Sequence, residues 1–146
     1  MSIETRLAEL GITLPDAPAP AANYVPFVMS GNLLYVSGQI SALKGRLGDD
    51  LTVDQGAEAA RGCGLSLIAQ AKAALGSLDR IARVVKLGGF VNSTGDFTDQ
   101  PEVINGCSNL MVEVFGERGR HARAAVSVPA LPRGVAVEIE AIFEIA

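Results

Sequence analysis

The sequence has no tryptophan, a single histidine, two cysteines, and two tyrosines and five phenylalanines as its only aromatic residues. Each shortage closes a class of function. Cys63 and Cys107, with one histidine, fall short of a four-ligand zinc site of the usual spacing, so no metal is expected. Both cysteines fall inside helical patterns and read as small core side chains. Binding nucleic acid takes a basic footprint to displace counterions, often with aromatics for stacking. Here twelve Lys and Arg stand against sixteen Asp and Glu, the net charge is −4 and the pI is near 4.9. No cluster of Lys and Arg stands out, so nucleic acid is not expected as a partner. No apolar run approaches the ~18 residues of a membrane span, and no membrane partner is expected. Met1-Ser2-Ile3-Glu4-Thr5-Arg6 lacks the basic region and apolar stretch of a secretory signal, which makes the cytoplasm the expected location.

What is present is a chain of 146 residues, 49% hydrophobic and 19% charged, a length that fits one domain. A domain of this size buries ~70% of the surface its unfolded chain exposes and needs no staples. The mean hydropathy of +0.31 rules out disorder. It is also higher than a lone, acidic, aromatic-poor domain requires, and burial between identical subunits would account for the excess.

Periodicity divides the chain. Ser2 to Leu10 carries Ile3, Leu7 and Leu10 at helical spacing, with Ser2 as N-cap and Gly11 as stop. The prolines at 15, 18 and 20 forbid helix and predict an extended arm. Residues 1–22 are therefore read as a helical and proline-rich arm, and 23–146 as the domain proper. Val25 to Met29 and Leu33 to Gly38 predict a hairpin about Ser30-Gly31-Asn32. Thr52-Val53-Asp54-Gln55 predicts a capping box opening a helix to Leu75, closed by Gly76. Its inward face would carry Ala57, Ala60, Gly64, Leu67, Ile68, Ala71 and Leu75. A β-rich run follows from Leu78 to Asn92, then a helix from Pro101 to Phe115 stopped by Gly116. Two strands, Ala122 to Val128 and Val135 to Ile145, end the pattern. Two helices with a mixed sheet predict a two-layer α+β sandwich with both helices on one face.

If residues 129–134 simply join the last two strands as a hairpin, Arg123 sits opposite Glu140, and Glu138 opposite Ala125. The commoner outcome of such a pattern is a cross-strand ion pair on a solvated face. The sharper reading is an arginine fork that binds a substrate carboxylate beside an acid–base carboxylate, with Ala125 leaving room for the ligand. Ser37 and Gly38 end their strand where backbone N–H groups could meet an anion, although an ordinary strand end is the commoner case. Gly62-x-Gly64 lies within a helix and is no dinucleotide loop. A lone loop histidine such as His121 is more often structural or exposed than catalytic. With one histidine, no spacing orders a Ser-His-Asp triad.

Tyr35-Val36-Ser37-Gly38-Gln39-Ile40, Ala122-Arg123-Ala124-Ala125-Val126 and the run from Leu131 to Ala141 resemble the Rid family. These are the reactive intermediate (enamine/imine) deaminases, also called the YjgF or L-PSP endoribonuclease family. The resemblance covers Tyr24 to Ile142. It implies a chorismate-mutase-like fold assembled as a homotrimer with ligand clefts between subunits. It also implies cofactor-free hydrolysis of enamines and imines of small carboxylates, such as 2-aminoacrylate, to 2-keto acids and ammonia. By motif position, Arg123 matches the arginine that grips the carboxylate and Glu138 the carboxylate that positions water. Tyr24 matches the pocket tyrosine, Gly38 the strand-end glycine, and Asn105 the helix asparagine near the cleft. Departures mark a divergent branch: Ala125 where many deaminating members carry Cys or another polar residue, Ala22-Asn23-Tyr24 for Gly-Pro-Tyr, His121 for proline, and the added arm. A non-catalytic metabolite-binding trimer is the alternative. RNA cleavage fits the composition poorly.

Overall fold

The computed structural model describes residues 2–20 and 22–146. Helix α1 (Ile3–Glu9) starts where the Ser2 hydroxyl accepts a hydrogen bond from the Thr5 backbone N–H at 3.0 Å. It buries Ile3 and Leu7 in the same core as the rest of the chain. Its start is tied down by Ile3 N–H donating to Asp79 at 2.8 Å and Leu78 N–H donating to Glu4 at 3.0 Å. The proline segment that follows runs without helix, as expected. The buried Gln70 amide donates to the Pro18 carbonyl at 2.6 Å and holds the arm in place.

Strands β1 (Phe27–Ser30) and β2 (Leu33–Ile40) form the expected hairpin, with Gly31 at φ +61° in its turn. Helix α2 (Val53–Leu75) opens on a complete capping box. Gln55 N–H donates to Thr52 Oγ1 at 3.2 Å, and Thr52 N–H donates to Gln55 Oε1 at 2.9 Å. Strand β3 (Ile81–Asn92), helix α3 (Gln100–Phe115), strand β4 (Ala122–Val128) and strand β5 (Val137–Ile145) complete the order. Among the described residues, no helix is long and apolar enough to cross a membrane.

The helices α2 and α3 cross at van der Waals distance because glycines clear the way. A Cβ on Gly106 would collide with the Ala57 carbonyl oxygen, and one on Gly64 would lie 2.8 Å from Leu110 Cδ2. This corrects the expected inward face of α2. Ala57 is only half-buried and meets α3, whereas Gly56 and Ala59 are buried. A helix packed against both a sheet and a second helix has a wider buried arc than one apolar stripe suggests.

The sheet order is β1-β2-β5-β3-β4, with β3 and β4 parallel and every other pair antiparallel. The expected hairpin of the last two strands does not form. From β4 the chain crosses the end of β3 and inserts β5 between β2 and β3. The buried Asn92 anchors that crossing: its side chain donates to Val135 O at 3.1 Å and its backbone N–H to Ala136 O at 2.9 Å. β5 takes the centre because Val137, Ile139, Ala141, Phe143 and Ile145 are all buried on its helix side, and β3 and β2 flank it. Alternation determines which face a side chain takes but not which strand lies alongside.

Candidate active site

The register divides the candidate residues between the two faces. Val36, Ala141, Leu87 and Arg123 form one cross-sheet row, as do Gln39, Ile139, Gly89 and Ala125. Leu87, Ile139 and Val36 are buried beneath the helices, so these rows face the helix layer. The intervening rows, Glu140 with Gly88 and Ala124, and Glu138 with Ile40, Phe90 and Val126, face away from it. Arg123 and Glu138 thus lie on opposite faces of one sheet. The single patch of guanidinium and carboxylates expected from a terminal hairpin is absent because β3 separates the strands. Among the described residues, Arg123 makes no ion pair.

The open face holds a cavity of about 660 Å³ whose lining includes Tyr24, Ser37, Gly38, Arg133, Glu138 and Glu140. Its floor is shaped by a break in the β2–β5 register at Ser37 and Gly38, a bulge of the kind that re-aims side chains beside functional sites. Ser37 is held from above: its hydroxyl donates to Val25 O at 2.8 Å and its N–H to Pro26 O at 2.9 Å. The Gln39 amide donates to Ser37 O at 2.8 Å. Gly38 lies so close to the Glu138 carboxylate that a Cβ there would collide with Oε2. Gly88 does the same for Glu140, where a Cβ would sit 2.9 Å from Oε2. Burial, and secondly the charge of Glu140, raises the Glu138 carboxyl above its ordinary range. Arg133, at the cavity edge, adopts φ +59°, a left-handed conformation that is uncommon outside glycine.

On the helix side, Arg123 lies at the outer edge of the sheet and reaches α3. Nη1 donates to Ser108 Oγ at 3.1 Å and Nη2 to the Pro101 carbonyl at 3.2 Å. Pro101, Asn105 and Ser108 are spaced four and three residues apart, so the exposed Asn105 shares the helix face that Arg123 touches. Ala125 packs against the core on the same side of β4. His121 closes this cluster, with Nδ1 2.6 Å from Gly119 O and Nε2 2.8 Å from Ser108 Oγ. Burial lowers its pKa, the bond to Gly119 opposes that shift, and the nearby Arg123 charge adds to it. Cys63 and Cys107 are buried and unpaired, and burial pushes the Cys107 thiol up to about 12. Among the described residues, no three His, Cys, Asp or Glu side chains converge as metal ligands would.

The structure therefore groups Tyr24, Ser37, Gly38 and Glu138 on one face, and Asn105, Arg123 and Ala125 on the other. Sequence reasoning did not reach Ser108, whose role depends on α3 lying over β4. It did not reach the turned backbone of Arg133 either, although that residue stands between Pro132 and Gly134 in the motif itself.

Comparison with known proteins agrees with this fold. Residues 4–143 match the family model described as "YjgF/chorismate mutase-like, putative endoribonuclease". Protein TCP17 of Trypanosoma cruzi is 52% identical over 150 residues, covering 98% of this chain and 94% of its own. The crystal structure of Atu1372 from Agrobacterium tumefaciens, a protein of unknown function, is 54% identical and superposes with a TM-score of 0.91, covering 99% of this chain and 92% of that one. A 2-iminobutanoate/2-iminopropanoate deaminase of Dermatophagoides farinae is 30% identical over 135 residues, covering 92% of this chain and 94% of its own. With its mixed sheet, two helices on one face and matched motifs, the chain belongs to the YjgF/chorismate mutase-like family.

Proposed function

We propose that the protein hydrolyses enamines and imines of small carboxylates to 2-keto acids and ammonia without a cofactor, in a cleft assembled between copies of a homotrimer. The observation that carries this reading is the division of the site: the guanidinium and the acid–base carboxylate lie on opposite faces, so one substrate can meet both only across two copies. The open face supports association. Val28 and Tyr35 are 51% and 43% exposed at one edge of it and Val126 is 46% exposed at the other, apolar side chains that neighbouring copies would cover.

In this cleft Arg123 of one copy holds the substrate carboxylate, with Asn105 and Ala125 beside it. Tyr24, Ser37 and Gly38 of the neighbour border the C=N group, and Glu138 takes the proton transfers. Burial favours the protonated carboxyl, and the fraction that carries a proton can give it to the imine nitrogen. The resulting carboxylate then accepts one from the attacking water. The carbinolamine collapses with loss of ammonia, leaving the keto acid. The carbon is already electrophilic once the nitrogen is protonated, so orientation and acid–base help suffice.

The test couples the purified protein to a threonine dehydratase and follows 2-keto acid formation against a semicarbazide trap. Acceleration over spontaneous hydrolysis is expected. No acceleration across several amino-acid-derived imines would reject the reading. The second reading, a trimer that binds keto acids without turnover, draws on Ala125, which brings no polar group to the pocket. It predicts saturable thermal stabilisation by 2-keto acids in the absence of hydrolysis. RNA cleavage, named in the family description, has little support in a chain of net charge −4.

A further inference from the structure

Ser108, His121 and Gly119 make a hydrogen-bonded series whose proton positions follow from its chemistry. The Gly119 carbonyl can only accept, so Nδ1 of His121 carries a proton at 2.6 Å. In the neutral ring Nε2 is then an acceptor. The guanidinium of Arg123 can only donate, so Ser108 Oγ accepts from it at 3.1 Å, and the hydroxyl proton is directed to Nε2 at 2.8 Å. A hydroxyl thus donates to the lone pair of an imidazole whose far nitrogen is fixed by a third group. This is the arrangement that activates a serine nucleophile. The positive charge of Arg123 on the same oxygen favours the developing alkoxide.

Ser108 and His121 line a cavity of about 270 Å³ together with Asn109, Val112, Arg120 and Arg123. Arg120 at the wall is paired with Glu117 at 3.2 Å, whereas the Arg123 guanidinium makes no ion pair among the described residues and suits a ligand that carries negative charge. The bonds to Ser108 and Pro101 use two of the five N–H donors of Arg123, leaving others to meet a carbonyl oxygen as charge builds on it.

We infer that Ser108 and His121 form a nucleophile–base pair that hydrolyses short, anionic acyl esters in this cavity, an activity separate from imine hydrolysis. Ser108 Oγ attacks the ester carbonyl carbon and its proton passes to His121 Nε2. The C–O ester bond breaks, and Nε2 returns the proton to the departing alkoxide oxygen. Water then attacks the acyl-serine carbon and gives its proton to Nε2. As the acyl–Oγ bond breaks, that proton returns to Oγ, leaving a carboxylic acid and the original hydroxyl.

The full-length protein is treated with a fluorophosphonate probe and the adduct is located by peptide mass mapping. Separately, hydrolysis of mono(4-nitrophenyl) succinate is compared with that of 4-nitrophenyl acetate. The adduct is expected on Ser108, and the succinate half-ester is expected to turn over faster. Ser108→Ala and His121→Gln should each lose about 10²-fold or more in rate, the scale of a general base. An adduct only on other side chains, or variants that hydrolyse the half-ester at the wild-type rate, would show that the pair merely anchors Arg123 and overturn the assignment. Mapping the adduct on the unaltered protein decides the matter even if Ser108→Ala fails to fold.

Discussion

The two faces of the sheet are built to different tolerances. The helix-covered face is packed to contact: Gly89 leaves no room for a Cβ against Ile104, and Gly106 leaves none against the backbone of Ala57. The open face has glycines that are just as crowded, but what crowds Gly38 is the carboxylate end of Glu138, and what crowds Gly88 is the flexible Glu140 side chain from Cγ to its carboxylate. Backbone cannot retreat, whereas a carboxylate can swing away. The same added methyl group therefore threatens the fold on one face and the proposed chemistry on the other.

The largest effect expected from this contrast is on the covered side. Gly106→Ala should cost about 3 kcal/mol or leave no cooperative unfolding transition, since overpacking against backbone has no relief. Thermal denaturation followed by circular dichroism would check it. A melting temperature within a degree or two of wild type would show that the helix crossing is looser than described.

Next comes the division of the pair proposed to act on the imine. Arg123→Ala and Glu138→Gln should each lower imine hydrolysis by about 10²-fold or more, the scale of losing charge-assisted bonds or an acid–base group. Unfolded together and refolded as a mixture, the two inactive variants should regain activity. About one quarter of randomly assembled clefts would pair an intact arginine with an intact glutamate from a neighbouring copy. A mixture no more active than its components would mean that the faces do not meet in this way.

Gly38→Ala sharpens the contrast. It should lower activity by about tenfold, by displacing Glu138, while shifting stability by less than ~1 kcal/mol. A large loss of stability with full specific activity would invert the assignment.

The smallest effect is a pH-dependent one. Because the folded state raises the Glu138 carboxyl, its ionisation works against folding once pH climbs through the raised value. The cost is absent below the ordinary carboxyl range, where both states are protonated. Glu138→Gln should therefore raise the melting temperature slightly at pH 7 to 8, and the gain should fade as the pH drops to about 4. A gain that grows toward acid would contradict the sign.

Local features were legible in the sequence wherever a short-range rule governs them. Ser2 caps α1, Thr52 and Gln55 close their box, and Gly76 and Gly116 end the helices where the pattern places them. The family motif led to Arg123 and Glu138. What it did not reveal is that they face apart, because strand alternation is blind to the order of strands. Only the crossing held by Asn92 shows that β3 stands between β4 and β5. Ser108 and His121 were invisible as a pair for a similar reason. Their meeting depends on α3 returning over β4, not on any spacing along the chain.

The place of β5 in the sheet also has a bearing on how the molecule comes into being. Each of its long-range pairings, from Leu33 with Glu144 to Phe90 with Glu138, waits for residues synthesised after every other strand. Until then β2 and β3 present unpaired edges, the kind of surface on which a nascent chain goes astray. Closure of the sheet and delivery of Glu138 are one event, so a chain emerging from the ribosome brings that carboxylate to the open face only as it loses its exposed edges.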